Sequence, residues 1–362
     1  MQIINLIFIL LIGVKAGALV SSWHSSLPND SKFLYSKHQA PDELNKRVDF
    51  WVKIYSYYST TQGVFHLIDN PSFILGEIDL TDISKNSNLT DSEKYKKIEL
   101  RIKDKKKQYT NKFKINPKKV RLQMGLRDRM KKALFLSGKY INQMEKIFKN
   151  ENLPIELTRL VYVESSFNVF AQSKVGASGL WQIMPAATPR RGYISNNYDK
   201  RNHPIFATKL AAKIMKQNYA ALKSWPLAIT AYNHGLTGVR RMMNRNDTVK
   251  IEDLIKAKNV TSSWGFASKN FYACFLAVLQ VERNAQNLFG QNLIKAQKLS
   301  FKEYNLPKLT RKSRVLTWFD GSLTRFKNMN PHLNWTAIKN KKNFPAGVPL
   351  MIPEKNFYLV KN

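Results

Sequence analysis

The chain has 362 residues, 43% of them hydrophobic, with a single cysteine and a formal net charge of +34. That is ample material for a core, and it excludes a disordered protein, an intramolecular disulfide and a cysteine-ligated zinc site. The charge implies a polyanionic partner, and the scattered histidines show no ligand spacing, so neither a metal nor any other cofactor is expected.

Residues 1–14 are apolar apart from Gln2 and Asn5, too few for a comfortable membrane span, and Ala16-Gly17-Ala18 follows. This outlines a signal peptide, although no basic residue precedes the apolar run and Lys15 falls after it. Residues 1–18 are therefore read as a signal peptide or a retained anchor. Either reading sends the chain to the periplasm or cell envelope, the second with membrane attachment through this segment. No cysteine follows Ala18 to carry a lipid.

Residues 22–40 lack periodicity and read as a linker. Pro41-Asp42-Glu43 opens a helix with Val48, Trp51, Val52 and Tyr55 on one face. Residues 63–82 mix apolar residues with Asn70-Pro71 and Gly76, the pattern of a small extended segment or hairpin. Residues 86–116 read as an exposed, highly charged helix. Between Lys85 and Lys149 the chain carries 21 Lys and Arg against 6 Asp and Glu, either a docking surface for a polyanion or a solvated basic face. A second helical pattern covers 125–150, with a break at Gly138. Further helices are expected over 206–225, from Pro226 to Gly235, and over 270–288, where Cys274 sits in an apolar run as a small core residue. The tail over 300–362 loses helical period and gains prolines.

Between these helices lies Leu153-Pro-Ile-Glu-Leu-Thr-Arg-Leu-Val-Tyr-Val-Glu-Ser-Ser-Phe167. Pro154 and Glu156 suit a helix start. Leu157, Leu160 and Val161 mark an apolar stripe whose next position, seven residues on from Leu157, is Glu164. A carboxylate aimed at a core loses hydration, so its pKa climbs and it can carry a proton near neutrality. Alternatively it pairs with a Lys or Arg at the core's edge. After Glu164 the next acid is Asp199, so a glycosidase with two carboxylates close together in the chain is not indicated.

From Glu164 the chain continues Ser165-Ser-Phe-Asn-Val-Phe-Ala-Gln-Ser173-Lys-Val-Gly176-Ala-Ser-Gly179-Leu-Trp-Gln182-Ile-Met184-Pro185, and later reaches Ala231-Tyr232-Asn233-His-Gly235. The Glu-Ser pair, the Gly-Leu-hydrophobic-Gln loop and the Ala-Tyr-Asn element, in this order, resemble the lysozyme-like soluble lytic transglycosylases, and among them the membrane-bound lytic transglycosylase D group. The resemblance runs over roughly 127–283. It implies a mainly α chain: a lysozyme-like (goose-type/SLT) helical catalytic domain over 126–290, a basic N-terminal helical extension over 19–125, and a small C-terminal appendage over 300–362.

The appendage is read as packing or as a LysM-like glycan-binding remnant lacking its front half. The resemblance further implies cleavage of the β-1,4 bond between N-acetylmuramic acid and N-acetylglucosamine in peptidoglycan, with a 1,6-anhydro product. Glu164 would be the lone acid and base, and Ser165, Ser173, Gln182, Met184, Tyr232 and Asn233 would contact substrate or orient the acid. Trp181 is either a stacking platform or a buried indole. Asp199-Lys-Arg201-Asn-His203-Pro204 departs from the group's more acidic form. A goose-type lysozyme-like hydrolase and a non-catalytic glycan binder of the cell envelope are the alternatives. A nucleic-acid binder is not expected, because no helix-turn-helix, finger or RNP signature accompanies the charge.

Overall fold

Apolar residues three and four apart produce a helical core wherever the sequence carries that spacing, in the computed structural model, which describes residues 20–28, 33, 42–339 and 341–360. The helix Phe266–Arg283 is apolar nearly all round, and for that reason it is the central one. Helix Asp42–Ser56 lies against it and buries Val48, Trp51, Ile54 and Tyr55. Around this pair stand Arg127–Ser137, Ile141–Asn150, Pro204–Leu222 and Trp225–His234. One continuous core joins them, so the helix Asp42–Ser56 shares its packing with residues 126–290. Cys274 is buried in that core, as expected.

The break at Gly138 has a packing cause: a Cβ there would lie 2.1 Å from the carbonyl oxygen of Ala296. Two helices, Leu236–Asn246 and Ile251–Lys256, fill a stretch for which the sequence suggests no element.

Three expectations need correction. The described part of residues 22–40 is not a free linker. Val20–Ser22 pairs antiparallel with Ile294–Ala296, and Trp23, Leu27 and Phe33 are buried in the main core. The N-terminal extension is not purely helical either. The expected hairpin exists as Gln62–Leu67 and Ile74–Asp79, and Val120–Met124 adds a third antiparallel strand on the other side of the first. The charged helix Asp91–Lys112, started by a Thr90/Glu93 capping box, covers this sheet through Ile98, Ile102 and Tyr109 and closes a small separate core.

The tail, finally, has helices after all: Lys312–Thr317, Leu323–Met329 and Trp335–Ile338. They lie between strand Phe301–Asn305 and its antiparallel partner Pro349–Pro353, over a core of their own that includes Trp318, Phe319, Phe326 and Phe344. Helices of two turns or fewer are too short to show a period, which is why the front half of this unit escapes sequence reading. No helix among the described residues is long and apolar enough to cross a membrane. The expected signal peptide or anchor at 1–18 lies outside the described residues.

Candidate active site

The segment that carries Glu164 starts after Pro154 as a tight turn of 3-10 helix, Ile155–Arg159, and continues as the α-helix Leu160–Ser165. Leu157, Leu160 and Val161 are fully buried, as the stripe requires. The helix stops directly behind the acid, because Ser166 and Phe167 both adopt left-handed backbone with φ of 50° and 55°. Two consecutive non-glycine residues there are strained. The strain is offset by Phe167, which is buried edge-on against Tyr162 at 4.7 Å. Glu164 is thus held at the end of a short helix, part-buried rather than deep in the core.

Burial alone raises the Glu164 carboxyl to about 8, and no neighbouring carboxylate contributes. The group is therefore protonated at neutral pH without a second acid. Its charge is felt by Tyr55 and Tyr232, both held far above the ordinary phenol range chiefly by burial, and by the Cys274 thiol, likewise pushed up by burial. Tyr55 and Cys274 come from helices Asp42–Ser56 and Phe266–Arg283, which are thereby brought to the acid, and the two side chains hydrogen-bond to each other. Sequence reading put both on core faces, but it had no signal that placed either beside residue 164.

The loop after the acid closes on itself. Ser173 Oγ accepts from the Ala177 amide at 2.8 Å, and Gly179 N donates to the Ala171 carbonyl at 2.8 Å. Gly179 has φ +77°, and a Cβ on it would lie 2.1 Å from the Arg201 carbonyl oxygen, so this glycine admits a neighbouring backbone segment rather than a ligand. Arg201 clamps the same loop: its Nη1 donates to the carbonyls of Gly176 (2.6 Å) and Ile183 (3.1 Å), while Asp199 pairs with its Nη2 at 2.6 Å. The departure noted at Asp199–Arg201 is thus the loop's fastening.

Gln182, itself left-handed at φ 45°, turns its Nε2 inward onto the carbonyls of Gly179 (2.9 Å) and Ala171 (3.1 Å), which leaves its Oε1 for a ligand. Trp181 is a buried indole and no platform: it stacks on Phe148 and donates to Thr208 Oγ1 at 2.9 Å. Tyr232, near the end of Trp225–His234, donates its hydroxyl to the Trp181 carbonyl at 2.8 Å and so ties that helix to the loop. Met184 (41% exposed) and Asn233 are open to solvent, and Ser165 is part-buried with its hydroxyl turned to the Val161 carbonyl. Tyr232 is thus what links the loop to the acid's surroundings, while the Oγ of Ser173 and half of Gln182 are spent on the loop itself. A concavity of about 720 Å³ between Asp82 and the basic helix lies away from this chemistry.

A lysozyme-like helical fold of this kind is what comparison with known proteins gives. Residues 140–255 match the family described as "Transglycosylase SLT domain", so the mainly α chain carries a lysozyme-like SLT domain around Glu164. Within it the chain is similar to "Membrane-bound lytic murein transglycosylase D" of Escherichia coli K12, 35% identical over 100 residues, which is 27% of this chain and 22% of the relative. The same identity and coverage hold for that protein in Escherichia coli O6:H1. The chain thus spans about a fifth of the length of these curated relatives. Among solved structures, an inactive mutant of lytic transglycosylase Slt from Pseudomonas aeruginosa superposes with a TM-score of 0.31 at 22% identity, over 42% of this chain and 25% of the other.

Proposed function

We propose that the chain is a peptidoglycan lytic transglycosylase of the cell envelope. It would cut the β-1,4 bond between N-acetylmuramic acid and N-acetylglucosamine and leave a 1,6-anhydro end. The observation that carries this reading is the Glu164 carboxyl, kept protonated near neutrality by burial, with no second carboxylate of the described residues contributing. A hydrolase of the two-carboxylate type needs a partner acid to serve as nucleophile or to activate water. A lone acid suits a reaction in which Glu164 gives its proton to the glycosidic oxygen as the C1–O bond breaks. The C6 hydroxyl of the same sugar then closes on C1 and returns its proton to Glu164, so that no water is consumed.

In this reading Gln182 Oε1, Met184, Asn233 and Ser165 line the sugar path, while Tyr232 and Ser173 hold the loop in shape. Residues 126–290 with helix Asp42–Ser56 form the catalytic body. The basic extension over 57–125 and the C-terminal unit over 300–362 flank it. That unit borders a groove of about 380 Å³ lined by Phe170, Gln172, Asn334 and Trp335, continuous with the loop, and this favours a glycan-handling over a merely packing part. Export through residues 1–18 brings the enzyme to its polymer.

Mass spectrometry of purified sacculi digested with the protein tests the reaction. Muropeptides one water lighter than hydrolysis products are expected, and reducing ends in their place would make the protein a hydrolase. Glu164→Gln is expected to lower release at least ~100-fold, the low end of what general acid and base assistance supplies. Undiminished release would remove the assignment of Glu164, and no release by the unmodified protein would leave the non-catalytic glycan binder.

A further inference from the structure

The three-stranded sheet and its basic helix end in a tip built from the turn 68–73 and the segment 111–119, brought together where Leu67 pairs with Val120 and Ile68 N donates to the Lys119 carbonyl at 2.9 Å. Lys114 is left-handed at φ 52°, so the chain folds back after the helix. Ile115 then packs toward the small core while Phe113 points away from it. Phe73 answers it from the turn. The two rings meet edge to face at 6.1 Å, are 42% and 38% exposed, and belong to no core cluster of the described residues.

Around them stand Lys112, Lys114, Lys118 and Lys119, all exposed, with the Lys112 ammonium 5.7 Å from the centre of the Phe113 ring. The one acid of the tip, Asp69, is engaged with Lys269 at 3.5 Å. The nearest acid of the helix, Asp104, lies two turns back from Lys112.

We propose that this tip docks on an anionic phospholipid bilayer, its two phenylalanines entering the headgroup region and its four lysines meeting lipid phosphates. Exposed apolar side chains ringed by lysine are the combination that interfacial anchoring uses, area burial and charge acting together. Two features favour lipid over a saccharide or nucleic acid. The rings present edges at 77° to each other rather than a flat stacking face. The charged groups of the tip are point-charge ammoniums with no guanidinium among them, and the side-chain oxygens of the amides Asn70 and Asn116 are already engaged by Ser72 Oγ and the Lys118 amide. Such a contact would hold the catalytic body at a fixed side of the envelope whatever becomes of residues 1–18.

Because the single cysteine, Cys274, is buried, a Ser72→Cys variant of the full chain takes an environment-sensitive fluorophore at the tip alone. With vesicles one-third phosphatidylglycerol its emission is expected to shift to the blue and brighten, and with pure phosphatidylcholine it is expected to stay unchanged. In the labelled protein Phe73→Ser with Phe113→Ser should weaken the apparent vesicle affinity at least about 10-fold, as withdrawing two phenyl rings from an apolar phase requires. Replacing the four lysines by glutamine should weaken it similarly and abolish its salt dependence. Circular dichroism and melting of each variant verify that the fold is retained. A tip label silent toward anionic vesicles overturns the proposal. So does one that responds equally to neutral vesicles, that responds instead to sacculi or DNA, or that is matched by a label at the exposed Lys308→Cys of the C-terminal unit, which has a core of its own.

Discussion

Two desolvated carboxylate sites on one short segment behave in contrasting ways. Five residues before Glu164, Arg159 is fully buried, and its guanidinium forks onto Glu282 through Nε at 2.8 Å and Nη2 at 3.0 Å. It also donates to Glu145 at 2.5 Å, to Thr158 Oγ1 at 2.9 Å and to Ser26 Oγ at 2.8 Å. Every charge there has a partner, and the result is a fixed joint between helices Ile141–Asn150 and Phe266–Arg283 and the N-terminal strap. Among the described residues Glu164 has no such partner, so desolvation expresses itself as a raised pKa instead of a salt bridge. Burial is common to both sites. What separates a structural carboxylate from a proton donor is the presence or absence of a cation.

That contrast is open to direct tests. The largest effect is expected from Arg159→Met, which strands the buried Glu282 and the part-buried Glu145 and should cost about 3–5 kcal/mol in urea unfolding. A loss under about 1 kcal/mol would mean that Glu145 and Glu282 find other partners and that the joint is not rigid.

A smaller effect of opposite sense is expected at Glu164. Its folded pKa, about 8, lies above the ordinary glutamate value, so the folded state binds the extra proton. Stability from this group is full at low pH and drains away as pH rises from about 4.5 to about 8. Glu164→Gln removes the ionisation, and at pH 9 it should be the more stable protein by about 1–3 kcal/mol, while below pH 4 the two should coincide. Parallel stability curves across that range would show that the acid is not desolvated. By the same titration, kcat/KM of the wild-type protein should fall as pH rises through about 8, the acid losing the proton it must donate.

What could be read without coordinates follows the range of the interactions involved. Glu164 on its stripe and the helix limits at Pro154 and Gly235 are set by neighbours within a few residues, and these the sequence displays. The break at Gly138 and the loop to Met184 are visible as glycines, but their causes lie at the distant Ala296, Arg201 and Tyr232. The third strand Val120–Met124, Tyr55 behind the acid, and the strap whose Ser26 reaches Arg159 depend on contacts between distant parts of the chain that leave no local period. Arg159 shows the limit well. Its place on the segment predicts a helix face, and nothing near it in sequence announces Glu282. The Asp199–Arg201 pair was visible but readable only as a departure from a pattern, since its meaning lies in the carbonyls of Gly176 and Ile183.

The smallest expected effect concerns Tyr232. Its hydroxyl is a tether that donates to the Trp181 carbonyl, one residue before Gln182, and it also faces the acid's charge. Tyr232→Phe deletes the donor and leaves a carbonyl unsatisfied, which should cost about 0.5–1.5 kcal/mol of stability. If the tether only holds the loop, the loss of function should appear mainly as a higher KM, since Gln182 is displaced while the proton on Glu164 is untouched. The pH at which kcat/KM falls should then stay where it is in the parent protein. Should kcat instead drop as steeply as in Glu164→Gln, or the pH profile move by a full unit, the phenol must act on the reacting atoms or on the acid itself. The carboxyl would then be less solitary than the comparison with Arg159 makes it.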